Sequence, residues 1–410
     1  MHILIVQPTC DKKGHYGIWT VRMCQELAKR GHKVTLWTNR VYPDRYLREK
    51  PLFRIIELCG GRYSFEKWDN YKRNQLLFYY GYYKNSYLVT SAALQWSESE
   101  DVDVGFLTDV EFAVASLLLK RYRKQIPPMV MHVNAANFSF GTYAGSFFKK
   151  SYKVLQRKIF KSTLGGEIKA LVVLGEWHKQ QLKNQLDLSD DFLIEVIPDA
   201  AEISPTLLEK HEARKKLQID FGGPVFLFFG ILRKDKGIEH LIKALPFLRN
   251  EDFRLVIAGA PMEYAEGEIR AMLEQEKISD KVILRLSYIS DDEVPLYYSA
   301  CDAAVLPYSC LYSGGSGPLM KGSCTYRRPV IATNVSELGR LVREYNLGLI
   351  AEPDNPWAIA EKMREFISLP QETKEMMTQN ASRLARANSW QALGERYSRL
   401  YEKVLQCATR

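Results

Sequence analysis

Two α/β domains, each a parallel sheet wound with helices on both faces, are predicted by three observations. The chain has 410 residues, more than one ordinary core holds, so two domains are the default expectation. Short apolar runs alternate with amphipathic stretches along its whole length, the pattern of buried parallel strands joined by helical crossovers. The alternation comes in two series, separated by the proline-bracketed connector IPDAAEISPT. Two such series imply two doubly wound sheets.

In the first series HILIVQP reads as a strand, TVRMCQELAKRGH as a helix and KVTLWT as the next strand. DVDVGFL, PMVMHV, IKALVVLGE and FLIEVIP continue it. After the connector and the basic helix LEKHEARKKL, a second irregular piece, DFGGP, leads into PVFLFFG. FRLVIAGAP, KVILRLSYIS, CDAAVLPY and RPVIATN complete the second series. No short repeat or low-complexity tract interrupts it. The Tyr-rich stretch 63–87, with Lys and Arg interleaved, reads as packing with snorkelling cations rather than a base-stacking surface, so no nucleic-acid partner is expected.

Composition narrows the class. With 46% hydrophobic and 26% charged residues the chain reads as a soluble globular protein. A net charge of +9 favours anionic partners without choosing among them. Cysteines 10, 24, 59, 301, 310, 324 and 407 are odd in number, scattered and off zinc spacing, which predicts reduced thiols and a cytoplasmic protein. MHILIVQP reads as a first strand, not a secretory signal, and no apolar run reaches the roughly 18 residues of a membrane span.

Four stretches carry candidate chemistry. In GHYGIWT, Gly14 and Gly17 open a loop before a helix, where backbone can approach a ligand. The spacing is not G-x-G-x-x-G, and no acid ends the strand KVTLWTNR, which disfavours nicotinamide cofactors. In FFGILRKDKGIEHLIKAL, Arg233 and Lys236 follow a strand end, an arrangement suited to a diphosphate. In SGGSGPLMKG, residues 313–322, Pro318 sits at a probable first helical position behind the hydroxyls of Ser313 and Ser316. No Asp or Glu occurs from 303 to 336, so this helix entrance favours an anion. In PPMVMHVNAAN, His132 and Asn134 lie two apart on one face at a strand's carboxyl edge. Metals are not expected: Asp101 and Asp103 of DVDVGFL more simply mark the polar start of a strand, and no carboxylate or His cluster has ligand spacing.

Taken in order, these stretches resemble the retaining nucleotide-sugar glycosyltransferases of family four, over nearly the whole chain. The matching pieces are HILIVQP with its glycine loop and helix, VIPDAA, FFGILRKDKGIEHLIKAL, LVIAGAP, YISDDEVPLYYSACDAAVLPY, RRPVIATNVSEL and NSWQALGERYSRLYEKVL. The resemblance implies a GT-B fold, two Rossmann-like domains facing each other across a cleft. Its boundaries would be 1–200 for an acceptor domain, rejoined by a crossover helix at 388–406, and 201–387 for the nucleotide-sugar domain. It implies that Arg233 and Lys236 hold the donor diphosphate, that Ser316, Gly317 and Leu319 cradle it, and that Tyr288 and Ile289 meet the nucleobase. Gly17 would be the loop glycine facing the cleft. The family's cleft histidine aligns best with Asn134, two positions beyond His132. One departure is larger. The two glutamates the family usually carries eight positions apart fall on Gly314 and Gly322.

The expected function is therefore metal-independent, retaining sugar transfer from a nucleotide-diphosphate donor, UDP favoured and GDP possible, to a glycan, lipid-linked or small-molecule acceptor. No cofactor beyond that co-substrate is implied. Two other classes compete: a binding subunit that has lost catalysis along with the glutamates, and a nucleotide-sugar epimerase. The segment 147–164, FFKKSYKVLQRKIFKSTL, sets Phe148, Tyr152, Leu155 and Ile159 at helical spacing beside Lys149, Lys153 and Arg157. It reads either as a helix packed on the first domain or as a peripheral contact with an anionic membrane.

Overall fold

The computed structural model describes residues 1–11, 15–58, 75–108, 116–117, 126–133, 157–202 and 208–408. They fall into two compact units. One holds the described residues up to Pro198 together with those from Trp390 on; the other holds the described residues of Asp199–Ser389.

The first unit is built on seven strands: β1 (His2–Gln7), β2 (Lys33–Thr38), β3 (Arg54–Glu57), β4 (Val104–Leu107), β5 (Met129–His132), β6 (Ile168–Val173) and β7 (Ile194–Val196). All pair in parallel, in the order β3-β2-β1-β4-β5-β6-β7. Every residue of β1 is buried, as a central strand covered on both faces requires. Helix His15–Lys29 lays Val21, Cys24 and Leu27 into the core at helical spacing. Gly31 ends it at φ +85°, where the His32 N–H donates back to the Leu27 carbonyl. The terminal helix Trp390–Ala408 belongs to the same unit, with Tyr397 edge-on to Phe106 at 5.3 Å and Arg30 donating to the Gln391 carbonyl.

Two readings of this unit can be followed in detail. The DVD stretch is a structural start: the Asp103 carboxylate accepts the His2 N–H at 2.6 Å, and the Asp101 carbonyl meets the His2 ring. In the segment 147–164, residues 157–163 are helical. Phe160 is fully buried there and Ile159 packs against the same core. Phe148, Lys149, Tyr152, Lys153 and Leu155 lie outside the described residues.

The second unit carries β8 (Val225–Phe229), β9 (Arg254–Ala258), β10 (Val282–Arg285), β11 (Ala303–Leu306), β12 (Val330–Thr333) and β13 (Gly348–Ala351). They pair in parallel as β10-β9-β8-β11-β12-β13, so the winding reverses between β8 and β11. Strand alternation splits the core between the two faces: Val225 and Leu227 enter one cluster, Phe226 and Phe228 the other. β3 and β13 are additions to the strands legible in the sequence. Among the described residues no helix is long and apolar enough to cross a membrane.

Candidate functional site

Where the strand order of an open parallel sheet reverses, the loops at the carboxyl ends diverge and leave a crevice. In the second unit that point lies between β8 and β11. After β8 the chain passes Gly230 at φ +121°, a 3₁₀ turn at Lys234–Lys236 and Gly237 at φ +68°, the left-handed region that favours glycine. Neighbouring backbone presses on these glycines. A Cβ on Gly237 would stand 1.8 Å from the Pro307 carbonyl oxygen, and one on Gly259 1.9 Å from that of Gly230. The Ser309 N–H donates to the Asp235 carbonyl at 3.0 Å. The glycines of FFGILRKDKG and LVIAGAP thus let three strand ends close on one another.

That closure buries a cation. Lys236 is 8% exposed, with its ammonium 5.3 Å from the centre of the Tyr308 ring. Burial, and then the neighbouring Arg233, push its pKa down to about 8. Among the described residues it has no ion pair, since Asp235 binds Arg233 instead. Arg233, expected as a free fork, spends its Nε and one Nη2 hydrogen on the two Asp235 oxygens at 3.0 and 2.9 Å. Burial works against the Arg233 charge, yet the Asp235 carboxylate outweighs it and leaves the pKa raised. Three N–H donors of the guanidinium remain.

The β11 side supplies the rest. The Tyr308 and Tyr312 rings lie 4.3 Å apart, Tyr308 Oη is 3.2 Å from Ser316 Oγ, and Tyr312 Oη donates to the Gly315 carbonyl. A π-helix, Pro318–Cys324, follows, with Pro318 as its first residue. Ser316 caps it: its Oγ and carbonyl both accept the Leu319 N–H, and the carbonyl also accepts that of Met320. The Leu319 donor expected to face a ligand is therefore engaged within the chain, while the Gly317 N–H has no partner among the described residues. A Cβ built on Gly230 would sit 3.4 Å from Lys236 Nζ and 3.5 Å from Pro318 Cγ. The amine and the helix start flank the same bare glycine, so two separate sequence motifs meet. Ile289, 9% exposed, packs in the hydrophobic cluster that also holds Tyr298 and Leu319, while Tyr288 beside it is 66% exposed. A cavity of about 290 Å³ at the opposite, amino edge of this sheet is lined by Lys210, Arg214, Arg328 and Lys374. Those cations are engaged in place, by Asp302 and by the carbonyls of Tyr298, Ser299 and Ile367.

Residues 209–384, the bulk of this unit, match the family described as glycosyl transferases group 1. The D-inositol 3-phosphate glycosyltransferase of Corynebacterium glutamicum is 24% identical over 97% of this chain and 94% of its own length. The alpha-D-kanosaminyltransferase of Streptomyces kanamyceticus is 26% identical over 50% of this chain, which spans about half (52%) of that relative. Among solved structures, sucrose-phosphate synthase from Thermosynechococcus elongatus superposes with a TM-score of 0.73 at 17% identity, over 99% of both chains. HepE of Anabaena, in complex with UDP and glucose, gives 0.67 at 14%, over 98% of this chain and 100% of its own. The fold is GT-B. Residues 209–384, in the second unit, match the group 1 glycosyl transferases.

At Gly314 and Gly322, where the resemblance expects two glutamates, neighbouring tyrosines crowd the backbone. A Cβ on Gly322 would lie 2.0 Å from Tyr298 Oη and 2.3 Å from its Cζ. Tyr298 is fully buried, stacked on Tyr326 at 5.2 Å and set against Phe229 at 5.3 Å, so its ring cannot yield. Gly314 abuts Tyr312 Oη, 3.2 Å from where its Cβ would stand. Tyrosines fill the space in which larger side chains at these positions would begin. They were missed in the sequence, though AVLPYSCLYSGG sets Tyr312 two residues before Gly314.

The first unit holds the remaining candidates. Gly17 lies inside helix His15–Lys29 rather than in the loop before it, and a Cβ there would meet the Cys10 carbonyl at 2.4 Å and Tyr46 Oη at 2.9 Å. The close approach it permits is to the chain's own backbone. His132 ends β5, its ring 6.3 Å from that of Trp19. Asn134 and Gly14 lie outside the described residues.

Proposed function

We propose that this glycosyltransferase takes its sugar from a nucleotide-diphosphate donor, with the diphosphate resting on Lys236, on the open N–H groups of Arg233 and on the Gly317 N–H. The observation that carries this reading is the Lys236 ammonium, buried, without an ion-pair partner among the described residues, and set beside Gly230 and the helix start at Pro318 at the switch point. An unpaired buried cation is costly, and a dianionic ligand supplies the missing partner. HepE's complex with UDP and glucose supports a nucleotide sugar as that ligand. In transfer, charge gathers on the departing diphosphate, and these donors meet it without reorganising. Cations then do the electrostatic work of a metal ion, and EDTA is expected to leave turnover unchanged. Retention of configuration, and His132 as the group meeting the transferred sugar, belong to the same reading. So does uridine as the base, by family frequency.

Calorimetric titration tests it. UDP is expected to bind the full chain, and Lys236→Gln to weaken it by about 1.5–3 kcal/mol, the range for a hydrogen bond to a charged group. Uridine binding should be unaffected. Equal loss of both ligands, or no loss of either, removes the phosphate role.

A further inference from the structure

We infer that the second unit carries an anion pocket at the amino edge of its sheet, and that it takes a phosphate dianion, free or borne by a small metabolite. The place is the cavity of about 290 Å³ whose wall includes residues that come just before three strands: Gly222 and Gly223 before β8, Asp302 before β11 and Arg328 before β12. Helix Lys210–Lys216 adds Lys210 and Arg214, and helix Gln371–Ala387 adds Lys374 and Glu375. The pocket lies at the edge of the sheet opposite Lys236, and it does not depend on the donor reading.

Charge in this cavity does not balance. Four cations line it against two carboxylates, which leaves a surplus of two positive charges. Asp302 serves two of the cations at once, Lys210 at 2.5 Å and Arg214 at 2.9 Å, and its Oδ2 also accepts the Val225 N–H. Glu375 is exposed, accepts from the Gln371 amide and pairs with no cation among the described residues. Arg328 and Lys374 are half-buried and give their hydrogen bonds to carbonyls alone. Arg328 donates to those of Tyr298 and Ser299 at 2.6 and 3.2 Å. Lys374 donates to that of Ile367 at 3.2 Å, with its ammonium 5.0 Å from the centre of the Phe366 ring. A carbonyl accepts a hydrogen bond but cancels no charge. Arg328 keeps its Nη1 donors, and Lys374 keeps N–H groups beyond the one it has given. The Gly222 and Gly223 N–H groups, at the wall of the cavity, have no partner among the described residues either. A phosphate monoester carries about −1.5 to −2 charges near pH 7 and offers three acceptor oxygens. It answers both the surplus charge and the open donors, whereas a carboxylate, with a single charge, would leave one cation unanswered.

The test keeps the two edges of the sheet apart. Inorganic phosphate, glucose 6-phosphate and glucose are titrated calorimetrically at low salt into the full chain, into Lys236→Gln, into Lys374→Gln and into Arg328→Gln/Lys374→Gln. We expect phosphate binding that persists in Lys236→Gln, falls about tenfold in Lys374→Gln and falls further in the double variant, as the loss of charged hydrogen bonds predicts. Urea unfolding checks that each variant is folded. Arg328 also holds the carbonyls of Tyr298 and Ser299, so where its variant does not fold, Lys210→Gln/Lys374→Gln takes its place. Inorganic phosphate bound at least as tightly as glucose 6-phosphate assigns the pocket to free phosphate. Tighter binding of glucose 6-phosphate, with none of glucose, assigns it to a phosphorylated metabolite. Binding that Lys374→Gln and its double variants leave intact, or that is absent from every titration, overturns the proposal. UDP binding, measured on the same samples, reports on the donor reading separately.

Discussion

The two sheets of this chain share a strand order up to β6 of the first, yet their carboxyl edges handle charge in opposite ways. In the second unit a lysine is drawn under a tyrosine ring and enclosed by loops that touch backbone to backbone. In the first, the Arg40 and Arg45 guanidiniums stand 4.8 and 4.0 Å from the centre of the Tyr42 ring, and neither residue is buried. A buried cation is costly in the empty protein, and its attraction for an anion is little screened. Rim cations cost less and attract from further away, but salt weakens them. The difference teaches that a shared topology fixes where a ligand can lie and leaves the mode of capture to the loops.

The largest effect should come from breaking the enclosure. Gly237→Ala forces φ +68° on a residue with a Cβ and drives that atom into the Pro307 carbonyl. About 1–2 kcal/mol of conformational strain adds to about 1–3 kcal/mol of overpacking, and urea unfolding would register the sum. The comparison is sharpened by Gly31→Ala in the first unit. There φ is +85° but nothing lies within 4 Å, so only the strain term of about 1–2 kcal/mol is expected. Equal losses at the two sites would mean the backbone contact at Gly237 is not tight.

Next in size is Gly322→Ala, which should cost about 1–3 kcal/mol by overpacking. Trimming the obstacle in Tyr298→Leu/Gly322→Ala should leave the alanine with a smaller penalty than it carries beside tyrosine, and a double-mutant cycle measures that coupling. Additive losses would contradict the clash.

The pH profile reports on the buried lysine. The Lys236 pKa in the folded chain, about 8, lies below the ordinary 10.5, so above pH 8 the empty site has lost a proton that diphosphate binding requires. UDP affinity should then fall by up to tenfold per pH unit, a slope that disappears in Lys236→Gln. For stability the sign is reversed. From pH 8 to 10.5 the unfolded chain binds the additional proton, so this residue contributes increasing stability to the empty protein across that window. The smallest expected effect is that of salt: between low and physiological ionic strength, UDP binding at the buried Lys236 should weaken only slightly, because a buried charge is little screened.

The second unit was the more legible in the sequence, for a physical reason. Its strand ends are marked by glycine beside cation, as in FFGILRKDKG, because a short loop that must cross bare backbone has few alternatives. Strand β13 was not legible. GLIA is four residues long and opens on a glycine that is needed because a Cβ on Gly348 would meet the Val330 carbonyl at 1.8 Å. β3 was missed because RIIE is a short edge strand with no fully buried residue. Gly17 was read toward a ligand, since a glycine's neighbours cannot be told from its sequence; its neighbours are Cys10 and Tyr46. The pairing of Arg233 with Asp235 was in plain view two residues apart, but spacing alone does not say whether a guanidinium faces its neighbour or a ligand.

The packing of Tyr298 against Gly322 also constrains the paths by which this sequence can change. A side chain larger than glycine at 322 clashes with the tyrosine that occupies that volume. A carboxylate there requires position 298 to be vacated as well: changing 322 first meets the tyrosine, and shrinking 298 first leaves a void beneath Tyr326 and Phe229. Both orders pass through a less stable intermediate. The glycine is held in place by the side chain beside it, independently of any demand a ligand makes.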